Sequence, residues 1–257
     1  MSDIQIEFQA PLAWVTLNRP DKRNAVTAQM WAALPGLAAQ VAADASIRVA
    51  LVRGAGHEAF SAGADIVEMT QTVGHPERMR AMQQAVLEGQ LAWARLAIPT
   101  IAVIRGACTG GGCGLALACD LRLAGDDSFF AIPPARLGLV YALDDTRRLV
   151  DLVGPARAKE ILFTGRRIGA REALDLGLVN EVVPAAELGA RALELAGTIA
   201  NNAGNSIAAA KHVVNLIMDG TRAETAATRA MFDGAFNSPE FAEGARAFVE
   251  KRTPRFR

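Results

Sequence analysis

The sequence predicts an α/β fold that gives way to a helical C-terminal region. Three observations carry this. Short strand-like runs alternate with amphipathic helical runs through the first part of the chain. A glycine run, Gly110–Gly111–Gly112, joins an extended apolar segment to a helix. From about Val153 onward the pattern is mostly helical, broken by one short strand.

The elements follow in order. Residues 4–8 alternate as a half-buried strand does, and residues 13–17 read as a hairpin partner across Ala10 and Pro11. A helix is expected over residues 27–43, with Thr27 as its N-cap and Pro35 kinking or dividing it. Residues 49–53 form a strand ended by Gly54–Ala55–Gly56. Pro76 opens a helix that stops before Pro99. Residues 99–104 are extended, the glycine run opens the next helix, and residues 121–124 and 128–130 are short strands. Helices over 156–163 and 170–176 come next, the second closed by Gly177. A strand over 179–183 ends at Pro184, and three or four helices fill residues 188–250.

Composition narrows the function. With 257 residues, 51% hydrophobic, the chain suffices for one large domain or a large domain with an appendage. Lys and Arg number 27, as do Asp and Glu, so no basic excess exists to hold a nucleic-acid backbone. The cysteines, Cys108, Cys113 and Cys119, match no zinc spacing and read as small buried thiols. The start lacks the regions of a signal peptide, and the apolar stretch 98–119 carries Arg105, five glycines and Pro99. A cytoplasmic location and no membrane partner are expected.

The glycine run carries the chemistry. The first amides of a helix have no intrahelical acceptor, and the helix dipole adds positive character there. An oxyanion at that point is stabilised without a charged side chain, and glycine lets it approach the backbone closely.

Two further segments turn this into a family likeness: Asn18–Arg19–Pro20–Asp21–Lys22–Arg23–Asn24–Ala25, and Ala59–Phe60–Ser61–Ala62–Gly63–Ala64–Asp65–Ile66. With the glycine run and the tail Phe248–Val249–Glu250–Lys251–Arg252, the chain resembles the crotonase (enoyl-CoA hydratase/isomerase) superfamily from about Ile4 to its end. The resemblance implies an α/β core of ββα spiral turns over residues 1–187. It implies a helical region over residues 188–257 that builds a homotrimer or a dimer of trimers. It implies an acyl-CoA thioester substrate, with coenzyme A as part of that substrate and no separate cofactor. In its terms the amides of Ala64 and Gly111 stabilise the enolate oxygen. Arg19, Lys22 and Arg23 line the nucleotide site, and backbone around Ala62 and Ile66 cradles the adenine.

The chain departs from the family's hydratases at two positions. Their glutamate after the glycine run corresponds to Gly114, and their second glutamate to Pro134, or to Ala135 after a one-residue slip. Adding water to a double bond needs a base for the water and an acid at the α-carbon, and these residues supply neither. An oxyanion hole alone suits decarboxylation of a malonyl-type thioester, where loss of CO2 generates the enolate. The loop 139–148 holds replacement groups: Tyr141, placed as in methylmalonyl-CoA decarboxylase-like members, with Asp144 and Asp145. Either aspartate also suits an N-cap for a helix over 146–152. Arg136 is expected to pair with one of them or with a substrate carboxylate. Asp65 reads as the cap of a helix from Ile66, His57 and His75 as loop residues, and His212 as structural. No metal cluster or Ser-His-Asp arrangement is expected. Three functions follow: a crotonase-type enzyme with altered chemistry, a hydratase or isomerase using a loop carboxylate, and a silent acyl-CoA-binding subunit.

Overall fold

A computed structural model describes residues 2–256. Strands β1 (Ile4–Gln9) and β2 (Leu12–Leu17) form an antiparallel hairpin with Ile4 opposite Leu17. Helix α1 (Ala28–Ala43) follows, capped by the Thr27 hydroxyl, which accepts from the Met30 amide.

The chain then repeats one unit three times. The first turn is β3 (Val49–Gly54), β4 (Ala59–Ser61), and helices α2 (Ile66–Thr70) and α3 (Pro76–Ala94). The second is β5 (Thr100–Ile104), β6 (Ala107–Thr109) and α4 (Gly111–Ala118). The third is β7 (Leu121–Gly125), β8 (Phe129–Ala131) and α5 (Leu143–Thr164). The first strand of each turn joins one sheet and the second strand joins another. After β9 (Ile168–Gly169), α6 (Ala170–Asp175) and β10 (Glu181–Val183), the orders are β1-β2-β3-β5-β7-β10 and β4-β6-β8-β9. Apart from β1–β2 and β8–β9, the pairings are parallel. This is a ββα spiral within the α/β class. It stacks the ends of β4, β6 and β8, from which the site is built.

Both faces of the central strands β2, β3 and β5 are buried, so these read as near-continuous apolar runs, whereas the edge strand β1 alternates. Val15, Leu17, Val52 and Ile104 point to one side, against Trp31, Leu34, Trp93 and Leu115. Trp14, Leu51, Ile101 and Leu123 point to the other, against Leu188, Ala192, Ala196 and Ala200 of α7 (Leu188–Ala200). The first helix after residue 187 therefore belongs to the core packing. Helices α8 (Gly204–Met218), α9 (Ala226–Ala235) and α10 (Pro239–Val249) follow, with Val214, Ile217, Phe232, Phe236, Phe241 and Phe248 exposed on the chain.

Several local expectations are corrected. Pro35 leaves α1 unbroken, because burial of Trp31, Leu34 and Ala38 on either side outweighs one lost hydrogen bond. Helix α5 starts at Leu143 with Ala142 at its cap, so neither Asp144 nor Asp145 caps it; both lie inside its first turn. The two helices expected on either side of Gly154–Pro155 are both present, as two arms of α5 separated by non-helical backbone at Gly154, where φ is 75°. His212 is exposed rather than packed. Among the described residues, no helix is long and apolar enough to cross a membrane.

Candidate active site

Ala64 follows β4, and Gly111 opens α4 after β6, the neighbouring parallel strand. Glycine lets the two turns touch. A Cβ on Gly63 (φ 95°) would lie 2.8 Å from the Thr109 carbonyl oxygen and 3.2 Å from the Gly111 nitrogen. A Cβ on Gly112 would lie 2.7 Å from the Ser61 Cβ. The direction in which a Gly111 side chain would grow ends 3.7 Å from the Ala64 nitrogen. Among the described residues neither amide donates to an acceptor, and Gly111, first in its helix, has none within it. Two unspent donors thus sit side by side at a helix N-terminus.

The segment holding Ala64 is laced to the loop 18–26. Asn24 is fully buried, and its side-chain amide donates to the carbonyls of Ala55 (3.0 Å) and Ala59 (2.7 Å). The Ser61 hydroxyl donates to the Asn24 carbonyl at 2.8 Å. The amides of Ala62 and Asp65 donate to Arg23 and Val26 carbonyls, and that of Val26 donates to Gly63. Asp65 caps α2, accepting from the amides of Val67 and Glu68. Glu68 reaches back to accept from the Ala28 amide at 2.7 Å, satisfying a free N–H at the start of α1.

The basic residues of that loop divide. Arg19 is held inside the chain: its guanidinium donates to the Ala25 carbonyl (2.8 Å) and Asp65 Oδ2 (2.9 Å) and lies near Asp3. That partner keeps the Asp65 carboxyl below the usual carboxylate range. In this structure the Arg19 guanidinium is thus engaged within the chain. Lys22 and Arg23 are exposed, Arg23 with Glu58 at 3.4 Å, and Ala62 and Ile66 are also exposed.

The opposite wall is made of side chains. Pro134 opens a single 3-10 turn (Pro134–Leu137) and brings no carboxyl group. Gly114 is buried in α4, one turn beyond Gly111. A Cβ there would collide with Gln90 Nε2 and lie 2.8 Å from Asp145 Oδ1. The space a residue at 114 would fill is taken by Asp145 from α5 and Gln90 from α3. Asp145 is 3% exposed. Its Oδ2 accepts from Gln90 Nε2 at 3.4 Å, and its Oδ1 lies 3.5 Å from Arg148 without a hydrogen-bond partner. Burial raises its pKa to about 6, against the opposing pull of Arg148 and Gln90.

Tyr141 donates its hydroxyl to the Gly110 carbonyl at 3.4 Å. Burial first, then the Asp145 charge, push its pKa well above the ordinary value, so it stays a phenol. Asp144 is only partly buried, and its charge adds a small upward push on Asp145. Arg136 donates to the Thr164 carbonyl and meets neither aspartate; Arg148, one turn along α5, is the basic neighbour instead. The three thiols are buried, and burial pushes those of Cys108 and Cys119 upward, the latter to about 12. Among the described residues no cluster of His, Cys, Asp and Glu is arranged to hold a metal ion.

Sequence reasoning named Ala64, Gly111, Tyr141 and Asp145 and missed Asn24 and Gln90. Asn24 lies within the segment 18–25, where its charged neighbours give the stronger signal. Gln90 gave no signal, since its relation to Asp145 spans 55 residues.

A ββα spiral with adjoining free amides at the ends of β4 and β6 defines a protein of the crotonase class. The model of the enoyl-CoA hydratase/isomerase family matches residues 7–257, and the chain belongs to that family. A probable enoyl-CoA hydratase of Mycobacterium tuberculosis is 34% identical over 98% of this chain and 97% of its own length. The crystal structure of a putative enoyl-CoA hydratase/isomerase family protein from Hyphomonas neptunium superposes with a TM-score of 0.97 at 40% identity, covering 100% of this chain and 98% of that one. An enoyl-CoA hydratase/carnithine racemase from Magnetospirillum magneticum gives 0.95 at 34% identity, covering 100% and 96%.

Proposed function

We propose that this protein shifts a carbon–carbon double bond in an acyl-CoA thioester, using one carboxylate. The observation that carries this reading is Asp145 filling the space beside Gly114. The amides of Ala64 and Gly111 serve as the oxyanion hole for the thioester oxygen. With a 3-enoyl thioester, Asp145 takes a proton from the α-carbon. The electron pair spreads into the thioester as a dienolate, the double bond moves to the α,β position, and the same carboxyl group returns the proton at the γ-carbon. One acid/base group suffices because proton removal and return are sequential. A pKa of about 6 suits both steps near neutral pH.

Hydration is less well supported, although several relatives are named hydratases, because Pro134 leaves no second group to activate water. Decarboxylation is also less well supported, because a malonyl-type carboxylate would adjoin the buried carboxylate of Asp145. Lys22 and Arg23 remain as groups for the CoA phosphates, beside Ala62 and Ile66. The exposed apolar side chains of α8 to α10 support assembly into a homotrimer or a dimer of trimers.

A substrate panel tests the reading. A 3-enoyl-CoA should develop the absorbance of the conjugated 2-enoyl product, while crotonyl-CoA should keep its own. Loss of the crotonyl absorbance points instead to hydration, and CO2 release from methylmalonyl-CoA to decarboxylation. Binding of these esters without turnover identifies a silent subunit.

A further inference from the structure

The reading of Asp145 leaves open which of its two oxygens works and what holds it. Four elements meet there. Helix α5 brings Asp145 itself, with Arg148 and Asp144; Tyr141 lies at its start, near Cys108 and Cys113; α4 presents Gly114, with no side chain; α3 presents Gln90. Gln90 is 2% exposed, and its position is fixed by the closeness of α3 to α1: a Cβ on the neighbouring Gly89 would lie 2.9 Å from the Trp31 carbonyl oxygen. A long polar side chain on a tightly seated helix, buried without solvent, needs a partner. Its amide has Asp145 Oδ2, at 3.4 Å. Asp145 Oδ1 has no hydrogen bond and only the Arg148 guanidinium nearby, at 3.5 Å.

We infer that Gln90 is a positioning residue: its amide holds Asp145 Oδ2 and so leaves Oδ1 as the atom that takes and returns the proton. This rests on the function proposed above. Gly114 is part of the device, because any side chain there displaces the amide. An N–H donated to a carboxylate favours its charged form, so Gln90 also keeps Asp145 ionised at a lower pH than burial alone would allow.

The test replaces Gln90 by residues of similar length and follows the Asp145 carboxyl by 13C NMR, its signal identified by loss in Asp145→Asn. In Gln90→Met the titration should move up by roughly one pH unit. The acid limb of kcat/KM should move with it, while KM for the thioester stays within about twofold. Gln90→Glu, which sets a second carboxyl group against the first, should move it further. An unmoved titration in folded Gln90→Met overturns the inference; should that variant not fold, an unmoved titration in Gln90→Glu does so. Full activity in Asp145→Asn instead overturns the function proposed for Asp145, a result read independently of the titration.

Discussion

The two walls of the site are built from different material. The β4–β6 wall is main chain: the amides of Ala64 and Gly111, set by glycines and by the Asn24 buckle. The α3–α5 wall is side chain: Asp145, Gln90, Arg148 and Tyr141 around the gap at Gly114. A backbone donor cannot be mutated away by most substitutions, so its chemistry survives wherever the turn survives. A side-chain group moves or vanishes with one codon. In the function proposed above, the first wall therefore sets what kind of molecule is gripped, and the second which bond is made or broken.

Four substitutions probe this contrast, in falling order of effect. Asp145→Asn should lower kcat by about 10³-fold, with binding of a CoA ester measured by calorimetry unchanged. The same variant should alter stability. Asp145 titrates at about 6 in the fold against 3.8 for the free group, so its favourable contribution is complete below pH 3.8 and is lost as pH rises through about 6. Denaturant unfolding should show a decline of up to about 3 kcal/mol across that window, absent in Asp145→Asn. Ala64→Pro deletes one of the two main-chain donors and should cost about 10²-fold in kcat; an undiminished rate removes that amide from the chemistry.

Asn24→Ala tests the support behind the main-chain wall. It leaves the Ala55 and Ala59 carbonyls short of a donor and should destabilise the fold by about 2 kcal/mol while lowering kcat/KM about tenfold. Tyr141→Phe is the mildest. The hydroxyl makes one long bond to a carbonyl, so a change of about threefold is expected, with the pH profile unaltered because the phenol does not ionise in the assay range. A large loss there would shift the chemistry from Asp145 to Tyr141.

The same contrast governs what could be read in advance. The hairpin, the Thr27 and Asp65 caps and the glycine-opened helix rest on local spacing, and all were legible. The glycine run also revealed the main-chain wall, since glycine marks close approach. The other wall rests on chain segments far apart. Asp145 read both as a catalytic candidate and as a helix cap, because aspartate near a helix start often is one; here the helix begins at Leu143 and Asp145 is buried. The charge of Arg19 was visible in the sequence, whereas its pairing with Asp65, 46 residues further on, was not. The packing of α7 onto the sheet was hidden for a similar reason, since its small Ala192, Ala196 and Ala200 give a weak signal until a sheet face is supplied.

The crowding around Gly114 also constrains how this protein could change in evolution or in the laboratory. Writing a glutamate at that position does not recreate the arrangement of its hydratase cousins, because Gln90 and Asp145 already own the ground. The switch requires those two to shrink at the same time, with a further carboxyl group gained at Pro134. On the function proposed above, the order of such steps matters: losing Asp145 before another carboxyl group is in place leaves a form with no proton carrier.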